Sequence, residues 1–96
     1  GLFTSPHLLR FNERIKVNLQ EVETSLLDSA FGEILPLVRK HRLTYFESSL
    51  ILALEVFRRS KVDCAVFEVG MGGKLDAVNA LTHQLAVITR IGFDHT

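Results

Sequence analysis

An α/β fold, built on a partial parallel sheet with flanking helices, is predicted by three features of the sequence. Residues 24–38 carry apolar side chains at helical spacing, and residues 44–47 (TYFE) open a second amphipathic stretch with the spacing of a capping box. Residues 62–69 and 85–91 are nearly continuous apolar runs, the pattern of strands covered on both faces. A helix before a strand, with no tight hairpin between the two runs, indicates parallel pairing.

The elements follow in order. Residues 1–6 read as the end of a strand entering a turn, because a residue before proline avoids the helical region. Residues 14–19 (RIKVNL) alternate polar with apolar and predict a short half-exposed strand or extended loop. Thr24 is a candidate N-cap for a helix whose apolar face is Leu26, Leu27, Ala30, Phe31, Ile34, Leu35 and Val38, and Pro36 is expected to kink or divide it. In the second helix, Leu50, Ile51, Leu54 and Phe57 form the apolar face. The basic clusters at residues 39–42 and 58–61 mark the two helix ends, where cations complement the negative end of the dipole.

Composition narrows the classes of function. Ninety-six residues make about one small domain. Eleven basic and eleven acidic residues cancel, so no broad attraction to nucleic acid or anionic lipid is expected. No membrane span or signal peptide is visible in the sequence. The single cysteine, Cys64, lies in an apolar run, has no partner for an internal disulfide and is expected in the core; a cytoplasmic location fits.

Chemistry concentrates where strands end. Ligands of open parallel sheets bind beyond the carboxyl ends of the strands. Glu68 closes the first apolar run, and Asp94 and His95 follow the second. If those strands are neighbours, carboxylate and imidazole converge on one crevice, where an oxygen and a nitrogen ligand would share Mg²⁺ directly or through water. Gly70, Gly72 and Gly73 would let backbone approach a ligand closely. GMGGKLD is not a phosphate loop of the G-x-x-x-x-G-K-[ST] kind, since it lacks the long gap and the hydroxyl after its lysine. The plain alternatives are a loop-capping role for Glu68, a solvated His95, a simple tight turn for the glycines, capping roles for Thr44 and Glu47, and a core position for Phe46. Ser5 and His7 flank a proline turn.

The ordered set TSPHL, ERIKVN, TYFE, EVGMGGKLDAVN and GFDHT resembles the bacterial dihydrofolate synthase / folylpolyglutamate synthase family of the Mur ligase superfamily over essentially the whole chain. EVGMGGKLDAVN is the most specific part, close to the family's EVG(L/M)GGRLDATN with Lys74 for Arg and Val78 for Thr. The resemblance implies an ATP-dependent ligase that activates a carboxylate as an acyl phosphate and joins it to glutamate. Its substrates would be dihydropteroate or a reduced folate, glutamate and ATP, in an enzyme monomeric at full length. By the same matching, Ser5 and Glu68 hold one magnesium and His95 the second, with Glu68 and His95 as the catalytic pair. Thr44, Tyr45, Phe46 and Glu47, with Leu75, Asp76 and Ala77, line the pocket for the pterin-bearing substrate. Arg10 and Arg14 are expected at the surface or bracing loops.

The resemblance further implies that residues 1–96 are part of the central, P-loop ATPase-like domain. The phosphate-binding loop would precede Gly1, and a lysine that becomes carbamylated would follow Thr96. A C-terminal domain would supply further nucleotide contacts. The isolated polypeptide is therefore expected to have little or no ligase activity. Another Mur-type amide ligase, and a non-catalytic α/β scaffold module, are the rival readings.

Overall fold

A computed structural model describes residues 1–70, 76–82 and 85–89. The first strand, β1 (Leu2–Phe3), is followed by a 3-10 turn at Phe11–Arg14 and then by β2 (Ile15–Val17) and β3 (Gln20–Glu21). Two helices follow, α1 (Thr24–His41) and α2 (Tyr45–Ser60), then β4 (Val66–Phe67) and a short 3-10 turn at Ala77–Ala80. Among the described residues these strands form one mixed sheet in the order β3-β2-β1-β4. β1 pairs antiparallel with β2 and parallel with β4, and β2 pairs antiparallel with β3.

The fold is thus α/β with a parallel pair, but the pair is not the expected one. β4 lies beside β1, with Leu2 opposite Val66 and Phe3 opposite Phe67. Residues 85–89, expected in a second apolar strand, belong to no described strand, and Leu85, Val87 and Ile88 are about four-fifths exposed, at 80%, 77% and 83%. The expectation that residues 62–69 form a strand covered on both faces is also corrected. Only Val66–Phe67 is strand, and Val66 and Val69 are exposed. The physical reason is one-sided cover: the core packs on the Phe67 side, leaving Val66, which alternates to the opposite face, against solvent. Cys64 falls in the connection before β4 and is exposed, not a core residue.

Residues 14–19 resolve into a tight hairpin. Asn18 and Leu19, with φ of 52° and 64°, make the two-residue turn between β2 and β3, the backbone that matches strand twist. α1 runs undivided through Pro36. Pro36 and Gly32, whose carbonyl loses its helical partner to the proline ring, are both exposed, so water can satisfy that carbonyl. Glu23, not Thr24, is the N-cap of α1, and the Thr24 hydroxyl instead accepts a bond from Asn12 Nδ2 at 3.2 Å.

α2 begins as its sequence indicates. The Thr44 hydroxyl accepts the Glu47 amide at 3.2 Å, and the Glu47 carboxylate accepts the Thr44 amide at 2.9 Å. Its buried face is Ser49, Leu50, Leu52, Ala53, Val56 and Phe57, while Ile51 and Leu54 are only half-buried. Both basic clusters do mark helix ends, where Arg42 and Lys61 take left-handed C-cap conformations.

The core lies between the helices and β1. Leu27, Ala30 and Ile34 from α1 meet Leu50, Ala53, Val56 and Phe57 from α2, over Phe3 and Ile15. Phe3 is fully buried, and its ring sits 5.7 Å from that of Phe46 and 6.3 Å from that of Phe67. Replacing Phe3 by Ala removes an aromatic ring from a closed contact set, and denaturant unfolding is expected to show a loss of about 3–5 kcal/mol. A loss below about 1 kcal/mol, the level of an exposed position, would contradict this packing.

Candidate active site at the ends of β1 and β4

Parallel pairing sends two chain segments out of the sheet in the same direction. The register that sets Phe3 against Phe67 brings residues 4–5 and Glu68 out together at the carboxyl end. The Glu68 amide donates to the Phe3 carbonyl at 2.9 Å, and the Glu68 carboxylate accepts the Ser5 amide at 3.0 Å. Two of the three predicted metal-binding residues, Ser5 and Glu68, therefore meet. The loop-capping alternative for Glu68 is realised at the same time, because one carboxylate has room for the Ser5 amide and for further partners. His95, and Leu75 of the predicted substrate set, lie outside the described residues, as do Asp94, Gly72 and Gly73. The expected convergence of Glu68 with His95 from an adjacent strand is therefore not among the described features.

A hydroxyl and a carboxylate oxygen are hard donors, the chemistry that suits magnesium. Among the described residues no group of three His, Cys, Asp or Glu side chains could enclose a metal ion. What the structure places together is the Ser5 amide and the Glu68 carboxylate, at 3.0 Å, with Glu68 exposed.

The second predicted group assembles beside the first. Phe46, half-buried and packed on Phe3, is the core residue its apolar character indicates. Gly70 lies against the same ring: a Cβ there would stand 2.7 Å from Phe46 and 3.0 Å from Asp76 Oδ2, so only glycine fits without displacement. The Gly70 amide donates to Asp76 Oδ2 at 3.0 Å, and the Val78 amide to Asp76 Oδ1 at 2.9 Å. Asp76 thus holds the Gly70 amide with one oxygen and with the other caps the start of the 3-10 turn at Ala77–Ala80. Ala77 packs on the core edge beside it. Thr44, Tyr45, Phe46, Glu47, Asp76 and Ala77 therefore cluster near the start of α2, next to the end of β4.

Tyr45 is 62% exposed, with its ring 6.2 Å from Phe11. It also borders a cleft of about 490 Å³ between α1 and α2, lined by Leu27, Phe31, Val38 and Leu52. That cleft contains neither Ser5, Glu68 nor Asp76, so its size does not make it the chemical centre.

Glu13, to which motif reading gave no role, holds the loop after Ser5. Its carboxylate accepts the amides of Leu8, Leu9 and Arg10 at 2.8, 2.9 and 2.9 Å, which fixes the loop after Ser5. Those bonds, led by the Leu8 amide, lower its pKa from the ordinary 4.5 to about 2. Glu47 is likewise lowered, first by the Thr44 amide and then by its hydroxyl. Arg14, expected to brace loops, does so: it is buried, and its Nε donates to His7 Nδ1 at 2.8 Å. Arg10 stays at the surface, 3.7 Å from Glu21.

A carboxyl whose pKa falls on folding stabilises the fold above its unfolded value and loses that contribution as pH drops through its folded value. Wild type is accordingly expected to exceed Glu13→Gln in denaturant stability above about pH 4.5, the gap narrowing towards pH 2. Glu55, lowered to about 2 mainly by Arg58, titrates in both proteins and cancels from the difference. A gap constant from pH 6 to pH 2 would refute the amide clasp.

Comparison with known proteins places the chain by sequence and fold. No protein-family model matches the chain. The dihydrofolate synthase/folylpolyglutamate synthase of Haemophilus influenzae is 44% identical over 96 residues, and that of Escherichia coli 42%, each match covering the whole chain. The chain spans 22% and 23% of their lengths. Among solved structures, E. coli FolC in complex with ADP superposes with a TM-score of 0.93 at 41% identity, over 99% of this chain and 23% of that one. E. coli FolC with DHPP and ADP gives 0.89 at 40% identity, over 99% and 23%. A bifunctional folylpolyglutamate synthase/dihydrofolate synthase with Mn, AMPPNP and L-glutamate bound gives 0.82 at 34% identity, over 98% and 25%. By sequence and by fold, the chain matches, over its whole extent, about a quarter of the length of dihydrofolate synthase/folylpolyglutamate synthases.

Proposed function

We propose that this chain forms part of the central ATP-binding domain of a cytoplasmic, monomeric ligase that joins dihydropteroate or a reduced folate to L-glutamate. The observation that carries the proposal is the Ser5–Glu68 contact at the ends of two parallel strands, beside the capped start of α2. Relatives of the same fold hold ADP, DHPP, L-glutamate, or AMPPNP with manganese, which supports a nucleotide, a pterin-type substrate and a divalent metal.

In this reading Ser5 and Glu68 hold one magnesium, and His95 a second. Magnesium would offset charge on the triphosphate and on the substrate carboxylate that approaches it. The carboxylate oxygen takes the γ-phosphoryl group to give an acyl phosphate and ADP. The glutamate amine then attacks the acyl carbon, phosphate leaves with the bonding electrons, and the amine loses a proton to complete the amide. Thr44, Tyr45, Phe46, Glu47, Leu75, Asp76 and Ala77 would bind the pterin-bearing substrate. Phe46 offers an apolar ring, and the Thr44–Glu47 bonds hold its helix turn in place. Orientation of the two reactants is then the protein's main contribution.

The test uses a full-length protein carrying this segment, and follows ATP hydrolysis that requires both glutamate and dihydropteroate or a reduced folate. At limiting magnesium, Glu68→Gln and His95→Ala are each expected to lower turnover by about 10–100-fold, with partial recovery as magnesium rises. Parental turnover in both variants would overturn the metal assignment. Turnover with a peptidoglycan precursor in place of the pterin would favour another Mur-type ligase.

A further inference from the structure

We infer that Arg14 is a positioning residue that couples the loop carrying Ser5 to the first turn of α2, so that the metal half-site and the substrate pocket keep one geometry. The importance of that coupling for turnover rests on the ligase reading; the coupling itself rests on contacts. Arg14 is only 8% exposed, yet among the described residues no carboxylate pairs with it. A buried cation is costly unless its surroundings compensate it.

Here the compensation comes from two different segments. Nε donates to His7 Nδ1 at 2.8 Å, two residues beyond Ser5. The guanidinium carbon lies 5.2 Å from the ring centroid of Tyr45, the first residue of α2, and 5.7 Å from that of Phe11. Both distances are within the range of cation–π attraction. The rings also brace each other, Phe11 standing 6.1 Å from His7 and, nearly perpendicular, 6.2 Å from Tyr45. The Arg14 backbone is fixed as well, since its carbonyl accepts the Thr4 amide at 2.9 Å. One side chain therefore touches the loop after Ser5 and the residue that follows the Thr44 cap. Lysine would keep the charge but lose both the planar stacking surface and the Nε donor.

The amides at stake are hydrogen-bonded and can be read directly: Ser5 on Glu68, Leu8 and Leu9 on Glu13, Glu47 and Ser48 on Thr44. Hydrogen exchange by mass spectrometry on the full-length protein compares wild type with Arg14→Met. Exchange is expected to accelerate about tenfold in residues 5–9 and 44–48 together, within what a cation–π contact and a charged hydrogen bond supply. Residues 30–34 of α1 should be unchanged. Arg14→Lys should show the same pattern at smaller amplitude, and serves if the methionine variant does not fold. Acceleration in one segment alone, or equally in α1, would overturn the proposal, the latter by showing general loss of stability. In turnover, the KM for the pterin-bearing substrate and the magnesium needed for half-maximal rate should rise together, with kcat changed less. If wild type shows no substrate-dependent turnover, the ligase reading fails, while the exchange pattern still decides whether Arg14 couples the two segments.

Discussion

The parallel register of β1 with β4 is the constraint on which the rest depends. Each strand has two residues, so the pairing is short and gains its strength from what lies above it. Phe3 supplies that strength in two ways. Its ring closes the core against Phe46 and Phe67, and its carbonyl takes the Glu68 amide. Shifting the pairing by one residue would turn Phe67 towards solvent and Val66 towards the core, so burial of the aromatic side chains fixes the register. The same register decides that Ser5 and Glu68 leave the sheet side by side.

Several residues at the site hold structure and present chemistry together. Glu68 caps the Ser5 loop with one oxygen while its carboxylate remains exposed. Thr44 and Glu47 satisfy each other's amides, which leaves the first turn of α2 ordered at the surface, where a substrate would meet it. Asp76 bonds the amides of Gly70 and Val78, tying the chain after β4 to the 3-10 turn at Ala77–Ala80. A site ordered before ligands arrive loses less entropy on binding them, so these local bonds also favour recognition.

Much of this was legible in the sequence where the signal is local. The Thr44–Glu47 capping box, the helix-ending basic clusters and the bend at Ser5 before Pro6 depend on neighbours a few residues away, and all are present. The hairpin was less legible, because Leu19 at φ 64° is not a residue that announces a left-handed turn. Pro36 misled because its effect depends on whether water reaches the orphaned carbonyl, which only the tertiary arrangement decides. The alternation of Val66 and Phe67 between the two faces was hidden inside an apolar run, and so was the exposure of Cys64. Strand partnership was the least legible feature. β4 pairs with a segment more than sixty residues earlier, and no pattern in residues 62–69 names that partner. The Ser5–Glu68 contact was therefore reachable only through family resemblance, and its geometric cause only through the structure.

The ends of β1 and β4 are proposed to form one divalent-metal site. The most direct measurement is an anomalous difference map from crystals of the full-length protein grown with Mn²⁺ and a non-hydrolysable ATP analogue. A manganese peak bound by the Glu68 carboxylate and the Ser5 hydroxyl, directly or through one water, is expected. A well-occupied peak beside the nucleotide that neither residue approaches would contradict it.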